Sequence, residues 1–404
     1  MLHAGRRRPG RVARRSGPSL ALLLALMLAF CSPPGEQPGQ PPGDGGAPPR
    51  PPPAPQTPRE ATSPGFVVVG HADPGGGLHA DVVALGRHAY LASAGSGELV
   101  DGARPYCRSA GVRVYDLNDP ANPALVSTFA DAASDPRVAG SRTEKLLVRA
   151  VSTAAFRGDL AAVGFQSCAG DEGFRGFGLY DVTDPTSPRT LALVATDRRA
   201  NGAHELWLDP RDDAAYVYTA VPLSELRTSP DGRSPGDQPD FMVFDVSDPA
   251  SPRRVGQWGA WAQLGVAPQA TDPQGVLREH LAHSVIAEGT TAYLSYWDLG
   301  TVILDLNDPA NPLYVGRTTF APHQEGNAHS AWLAAGGRIL VETDEDVEPT
   351  PVGPLERGWG HPRVFDLSDP AHPSLLAEVE LASTRQLPPP GPGHYSVHDP
   401  KVAG

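Results

Sequence analysis

The stretch Thr301 to Gly316, TVILDLNDPANPLYVG, joins one apolar run to another through an Asp-Pro turn. Thr-Val-Ile-Leu is the β-branched, apolar run of a buried strand, and Tyr-Val-Gly reads as a second strand. Between them, Asp and Asn side chains bond nearby backbone amides, while the prolines preset φ and withhold the N–H that a ladder needs. The insert therefore ends one strand and reverses the chain into the next.

Four more copies occur: GVRVYDLNDPANPALV from Gly111, FGLYDVTDPTSPRTLAL from Phe177, FMVFDVSDPASPRRVG from Phe241 and PRVFDLSDPAHPSLL from Pro362. Their first aspartates, Asp116, Asp181, Asp245, Asp305 and Asp366, are spaced by 65, 64, 60 and 61 residues, a period that marks an array of like units. Around Thr301 the unit reads as four strands, Val285 to Glu288, Ala292 to Trp297, Thr301 to Leu304 and Tyr314 to Phe320, with no helical period. Five such units joined without linkers predict an all-β protein. The expected form is a β-propeller of four-stranded antiparallel blades packed face to face around an axis, in preference to a stack of sandwiches.

Two flanking segments suggest how such a ring closes. FVVVGHAD, from Phe66, aligns Val69-Gly70 with the fourth-strand pairs Val255-Gly256 and Val315-Gly316 but has no preceding strands. GHYSVHDPKVAG, from Gly393, aligns His398 with His283 and stops before any equivalent of Ala292 to Leu304. The expectation is five complete blades and a split, unfinished sixth, in a chain truncated or frameshifted at Gly404.

The motif, turn and spacing together resemble the LVIVD-repeat proteins, exported bacterial β-propellers named for the third-strand pattern seen here in TVILDLNDP, GVRVYDLNDP and RVFDLSDP. The resemblance runs from about Phe66 to the end. It implies fold and export, and carries no established reaction.

The start of the chain agrees with export. Six arginines (Arg6, Arg7, Arg8, Arg11, Arg14, Arg15) precede the apolar run Leu20 to Phe30, which is too short for a transmembrane helix of about 20 residues. Cys31 follows directly, as in a bacterial lipoprotein signal, where that cysteine is lipidated; Phe30 stands where that pattern has a small residue, so ordinary secretory cleavage is the alternative. Ser32 to Pro64 has little apolar bulk and many prolines, and reads as a disordered, semi-rigid tether. The expected organisation is a signal over 1–30, a tether over 31–64 and a propeller over 65–404, outside the cytoplasm in the cell envelope, anchored through Cys31 or else secreted.

A formal charge of -13, more negative once the arginine-rich signal is removed, argues against nucleic acid as a partner, as does the lack of a basic stripe. Contact with a membrane is expected through a lipid anchor only. Cys107 and Cys168 fall in corresponding loops of neighbouring blades; they are expected to form one disulfide, with two free thiols as the alternative.

Four histidines, His204, His283, His329 and His398, align at the head of the innermost strand, where the first two blades carry Ala80 and Ser152 in this alignment. Converging on a central channel, neutral imidazoles can bind copper or zinc. His280, His323 and His394 lie close by in sequence. The competing reading is structural, each ring bonding the backbone of the next blade. Asp298 and Glu345 end second strands on the same face and read as solvated turn acids more than as a hard-cation site. The long insertions Pro222 to Asp240 and Val347 to Gly360 are recognition loops or passive surface.

No phosphate loop, EF-hand or nucleophile elbow is present, so no catalytic residue is assigned. The sequence favours a tethered binding or scaffold module, taking a protein or small molecule on one propeller face, over an enzyme. A metal-dependent propeller enzyme and a structural envelope component are the alternatives, and the oligomeric state stays open.

Overall fold

The computed structural model describes residues 67–74, 79–93, 111–167, 173–196, 202–322, 324, 326–345, 360–379, 397 and 399–401. The chain divides into two compact units, 1–52 and 53–404, and every described residue belongs to the second. Among the described residues no helix is long and apolar enough to cross a membrane.

Among its described residues the second unit contains five four-stranded antiparallel sheets. They comprise β1 (His79–Leu85), β2 (His88–Ser93), β3 (Val112–Asp116) and β4 (Ala124–Phe129); β5 (Ser141–Ser152), β6 (Arg157–Ser167), β7 (Gly176–Asp181) and β8 (Arg189–Ala195); and β9 (Glu205–Pro210), β10 (Ala215–Ala220), β11 (Phe241–Asp245) and β12 (Arg253–Trp258). After the short hairpin β13 (Gln269–Thr271) and β14 (Leu277–Glu279) come β15 (Ser284–Glu288), β16 (Thr291–Ser295), β17 (Thr301–Asp305) and β18 (Leu313–Arg317). The fifth sheet is β19 (Ala328–Ala334), β20 (Ile339–Asp344), β21 (Arg363–Asp366) and β22 (Ser374–Glu378). Each is a meander in chain order, and the first strands β1, β5, β9, β15 and β19 lie side by side in that order. This is the β-propeller arrangement, with first strands innermost.

The repeated turn works as its residues dictate. In the fourth sheet Asp305 accepts the Asn307 amide at 2.7 Å and Asp308 accepts that of Ala310 at 3.0 Å. The same pair of bonds recurs at Asp116 and Asp119, at Asp181 and Asp184, at Asp245 and Asp248, and at Asp366 and Asp369. Immediately beyond, every third-to-fourth strand ladder skips one residue at the same place, for example between Ile303 paired with Gly316 and Leu304 paired with Tyr314. Equivalent bulges follow Val114, Leu179, Val243 and Val364. A bulge strengthens local twist, so the repeat fixes blade curvature as well as chain reversal.

The bulge sets a small residue, Ser127, Ala192, Gly256, Gly316 or Ala377, opposite the last residue before the irregularity. Three of the small positions are seen to face the next sheet's turn. A Cβ on Gly256 would lie 2.0 Å from the Pro309 carbonyl oxygen, and one on Gly316 2.4 Å from that of Pro370. Ser127 instead donates to the Pro185 carbonyl at 2.6 Å. Aromatic pairs fill the faces between sheets: Phe129 with Tyr180, Phe177 with Phe244, and Trp258 with Tyr296.

Gly70 repeats this contact against Pro120, where its Cβ would meet the carbonyl oxygen at 2.0 Å. The alignment of Gly70 with Gly256 and Gly316 therefore holds as packing. It does not hold as a strand: residues 67–74 form no ladder among the described residues. Phe66 and His398 lie outside the described residues. The expectation of units joined without linkers fails between the third and fourth sheets, where a helix, α1 (Ala260–Leu264), and the β13–β14 hairpin intervene.

Candidate functional site

The heads of the innermost strands converge. His204 precedes β9 and His283 precedes β15; each bonds through its backbone amide to the end of the adjacent second strand, at Ala220 and Ser295. His329 sits in a bulge of β19 between Ala328 and Ser330. Three strand starts from three sheets thus deliver three imidazoles to one place. The His204 and His283 ring centroids are 4.2 Å apart, and those of His283 and His329 are 4.1 Å apart.

Each ring turns Nε2 inward and Nδ1 outward. His204 Nε2 lies 2.8 Å from His283 Nε2. Glu345, at the end of β20, brings Oε2 to 3.4 Å from His329 Nε2 and 4.0 Å from His283 Nε2. Outside, His204 Nδ1 faces Glu144 Oε2 at 3.4 Å, and His329 Nδ1 faces Asp399 Oδ1 at 3.8 Å. His283 Nδ1 is 3.2 Å from the His329 carbonyl, which can only accept, so this nitrogen carries the proton and Nε2 presents a lone pair.

Burial governs the charges. Glu345 is buried, and its carboxyl is pushed up to about 7 by desolvation, with Glu144 and Asp399 adding to the rise and His204 opposing it. Desolvation pulls His204 down, yet the Glu144 carboxylate overrides it and raises the imidazole above its ordinary value. Glu144 is held low against its own burial by His204 and by Arg142, whose guanidinium is 3.2 Å away. His204 and Glu144 thus each favour the other's charged form. One residue further along the same strands, Lys145 lies 3.0 Å from Glu205, 3.6 Å from Asp81 and 3.6 Å from Asp399. These carboxylates outweigh desolvation and keep its ammonium charged.

The donor set fits a transition-metal ion. His283, His329 and Glu345 each offer an atom within 4.8 Å of the others. Two ligands of one ion, each about 2.1 Å from it, stand at most ~4.2 Å apart, so the Glu345 distances are already in range. In a tetrahedral site two such ligand atoms stand ~3.4 Å apart, so the 2.8 Å between His204 and His283 must open by about 0.6 Å for both to bind. The acceptors behind the Nδ1 atoms of His204 and His283 are outer-shell groups of the kind that orient imidazole ligands and raise their basicity.

Of the four aligned histidines, the structure brings His204, His283 and His329 together, while His398 lies outside the described residues. Its neighbour Asp399 reaches both His329 and Lys145. His280 stands apart from the cluster in its hydrogen bonding, with Nδ1 2.7 Å from the Ala267 carbonyl; His323 and His394 are outside the described residues. The second sheet's counterpart of the histidines is Glu144, in the β5 bulge between Thr143 and Leu146, and not Ser152, which ends β5. That strand runs twelve residues, and an alignment placed on its second half missed the first.

The reading of Asp298 and Glu345 as solvated turn acids is overturned. Glu345 is 8% exposed within the cluster, and Asp298 accepts three backbone amides. Within Pro222 to Asp240, Glu225 is buried and accepts the Trp261 and Ala262 amides, while Pro230 to Arg233 are exposed. Residues 346–359 of the other long insertion, together with Cys31, Cys107 and Cys168, lie outside the described residues.

Comparison with known proteins places these features in a family. The LVIVD repeat model matches residues 236–258 and 281–319, the third and fourth strands of the third sheet and the whole of the fourth sheet. A sequence comparison with curated proteins returns no match. Among solved structures, the chain is similar to a hypothetical selenium-binding protein from Sulfolobus tokodaii, at 10% identity and a TM-score of 0.35, covering 72% of this chain and 75% of that one. It is also similar to Saccharomyces cerevisiae Sqt1, at 10% identity and a TM-score of 0.44, covering 74% and 61%. For the Dos1 propeller the figures are 11%, 0.34, 73% and 55%, so the chain spans under two thirds of the length of these last two. The chain thus carries LVIVD repeats over part of its third sheet and all of its fourth, on a β-propeller built from recurrent four-stranded blades.

Proposed function

We propose that this propeller is an exported binding or scaffold module, tethered to the cell envelope through Cys31, whose blades are cross-linked at the centre by one divalent transition-metal ion, zinc or copper. The observation that carries the metal reading is the inward set of three imidazole Nε2 atoms and the Glu345 carboxylate, with acceptors behind the Nδ1 atoms of His204 and His283 and the Asp399 carboxylate 3.8 Å from that of His329. The four side chains come from three sheets and are each less than a tenth exposed. A site with four buried protein ligands is a closed, structural one and leaves no position for substrate. Bound there, the ion supplies a link between the third, fourth and fifth sheets, and the outer propeller faces remain for a protein or small-molecule ligand.

Metal analysis of the full chain, purified without a histidine tag, tests this. The expected result is about one zinc or copper per chain, lost in the variant carrying both His283→Ala and His329→Ala; metal-free protein after growth and dialysis with each metal sinks the reading. A second reading has its own support: the bond from His283 Nδ1 to the His329 carbonyl joins neighbouring blades without any ion. On that reading the histidines are structural, the protein is metal-free, and His283→Ala lowers stability in metal-free and metal-supplemented buffer alike.

A further inference from the structure

Resting on the metal reading, we propose that Asp298 is the positioning residue of the site: one carboxylate that sets the spacing between the His283 and His329 segments. Asp298 lies in the turn after β16 and touches none of the ligands named above. Its Oδ2 accepts the Glu279 amide at 2.7 Å, and its own amide donates to the Glu279 carbonyl at 3.0 Å. Its Oδ1 accepts the amides of Gly326 and Asn327 at 3.1 and 3.3 Å. Glu279 opens the segment that reaches His283 four residues later, and Asn327 stands two residues before His329. The two ligand-bearing segments are 46 residues apart in sequence, and this side chain ties them at one point.

The backbone around the clamp is built for close approach. A Cβ on Gly326 would sit 2.5 Å from the Asp298 Cα, so only glycine admits the loop here. Trp297 and Asn327 both hold positive φ, 46° and 47°, a conformation costing on the order of 1 kcal/mol or more and kept only where neighbours impose it. Those neighbours are visible: the Ala328 amide bonds the Trp297 carbonyl at 3.2 Å, and the Glu345 amide bonds the Asn327 carbonyl at 3.1 Å. The Glu345 ligand is therefore registered against the same loop. Arg278, held by Asp272, reinforces the clamp by donating to the Gln324 and Pro322 carbonyls. Groups that hydrogen-bond a ligand directly change metal affinity by about 10- to 100-fold when removed; Asp298 acts one step further out, through the backbone, which places its effect at the low end of that range.

The test compares the untagged full chain with Asp298→Ala, Asp298→Asn and Gly326→Ala. Zinc affinity is read by competition with a chromophoric chelator, the Co²⁺ absorption spectrum at saturation reports ligand geometry, and hydrogen exchange at Gly326 and Asn327 reports the clamp without metal. Asp298→Ala and Gly326→Ala should each weaken zinc binding by about 10-fold, alter the Co²⁺ bands and speed exchange at both amides. Asp298→Asn, which keeps one accepting oxygen, should fall between them and wild type, and serves if the alanine variants fail to fold. Wild-type affinity and an unchanged Co²⁺ spectrum in the folded variants overturn the positioning role alone. A wild-type chain that takes up neither zinc nor cobalt overturns the metal reading and this inference with it.

Discussion

Gly316→Ala offers a sharp test of how the blades are joined. The Cβ it adds would lie 2.4 Å from the Pro370 carbonyl oxygen, 2.6 Å from that of Ala371 and 2.8 Å from the Ala371 carbonyl carbon. All three are backbone atoms of a turn pinned by the Asp366 and Asp369 side chains, so the neighbour cannot rotate away. The overlap must be relieved by moving one sheet against the next, a cost of about 1–3 kcal/mol for overpacking of this kind. For a folded region of this size, about 3 kcal/mol corresponds to a fall in Tm of roughly 4 °C. Gly256→Ala should behave alike, its Cβ lying 2.0 Å from the Pro309 oxygen. Gly336→Ala is the control: nothing lies within 4 Å, and only its φ of +65° is penalised, by about 1 kcal/mol. Urea unfolding of the three variants, compared at midpoint and slope, measures the order. Gly316→Ala and Gly256→Ala no less stable than Gly336→Ala would refute the packing of fourth strands on turns.

Two further outcomes follow from buried charge. Asp240 is fully buried beside Glu225 and accepts the Tyr296 hydroxyl at 2.9 Å; desolvation first, and the Glu225 charge second, push its carboxyl up to about 7. A raised folded pKa gives stability that is full below the unfolded value near 4 and is lost as pH rises through about 7. Denaturant midpoints measured from pH 4 to pH 8 should fall over that window in the wild type and fall less in Asp240→Asn; equal slopes would contradict the assignment. Lys145→Met leaves Glu205, Asp81 and Asp399 without their shared cation, and stranding a buried charge costs about 3–5 kcal/mol. Its urea midpoint at pH 7 should drop accordingly, and a drop no larger than that of an exposed Lys401→Met change would count against the network.

Much of this architecture is legible in the sequence because the turn is local chemistry. Asp, Asn and Pro at fixed offsets name the strand reversal wherever they occur, and the period then sets the register, down to the contact of Gly70 with Pro120. Three of the site's histidines are legible for the same reason, since a recurrent residue at one register position recurs at one place in space. Glu144 is not, because charge replaces imidazole there and β5 runs twelve residues where other first strands run five to seven. Glu345 hides in the acidic run ETDED, where composition alone suggests water. The β13–β14 hairpin sits in an inter-blade join, outside the repeat, where periodicity carries no information; Asp298 lies inside the repeat, in the turn after β16, but its partners Glu279, Gly326 and Asn327 lie in the joins on either side.

The most direct measurement of the central claim is a crystal structure of the untagged full chain grown with zinc or copper, with data collected across that metal's absorption edge. The account predicts one anomalous peak about 2.1 Å from the Nε2 atoms of His204, His283 and His329 and from a Glu345 oxygen, with the two His204 and His283 nitrogens moved apart from 2.8 Å. No peak there, with the nitrogens still hydrogen-bonded to one another, would contradict it.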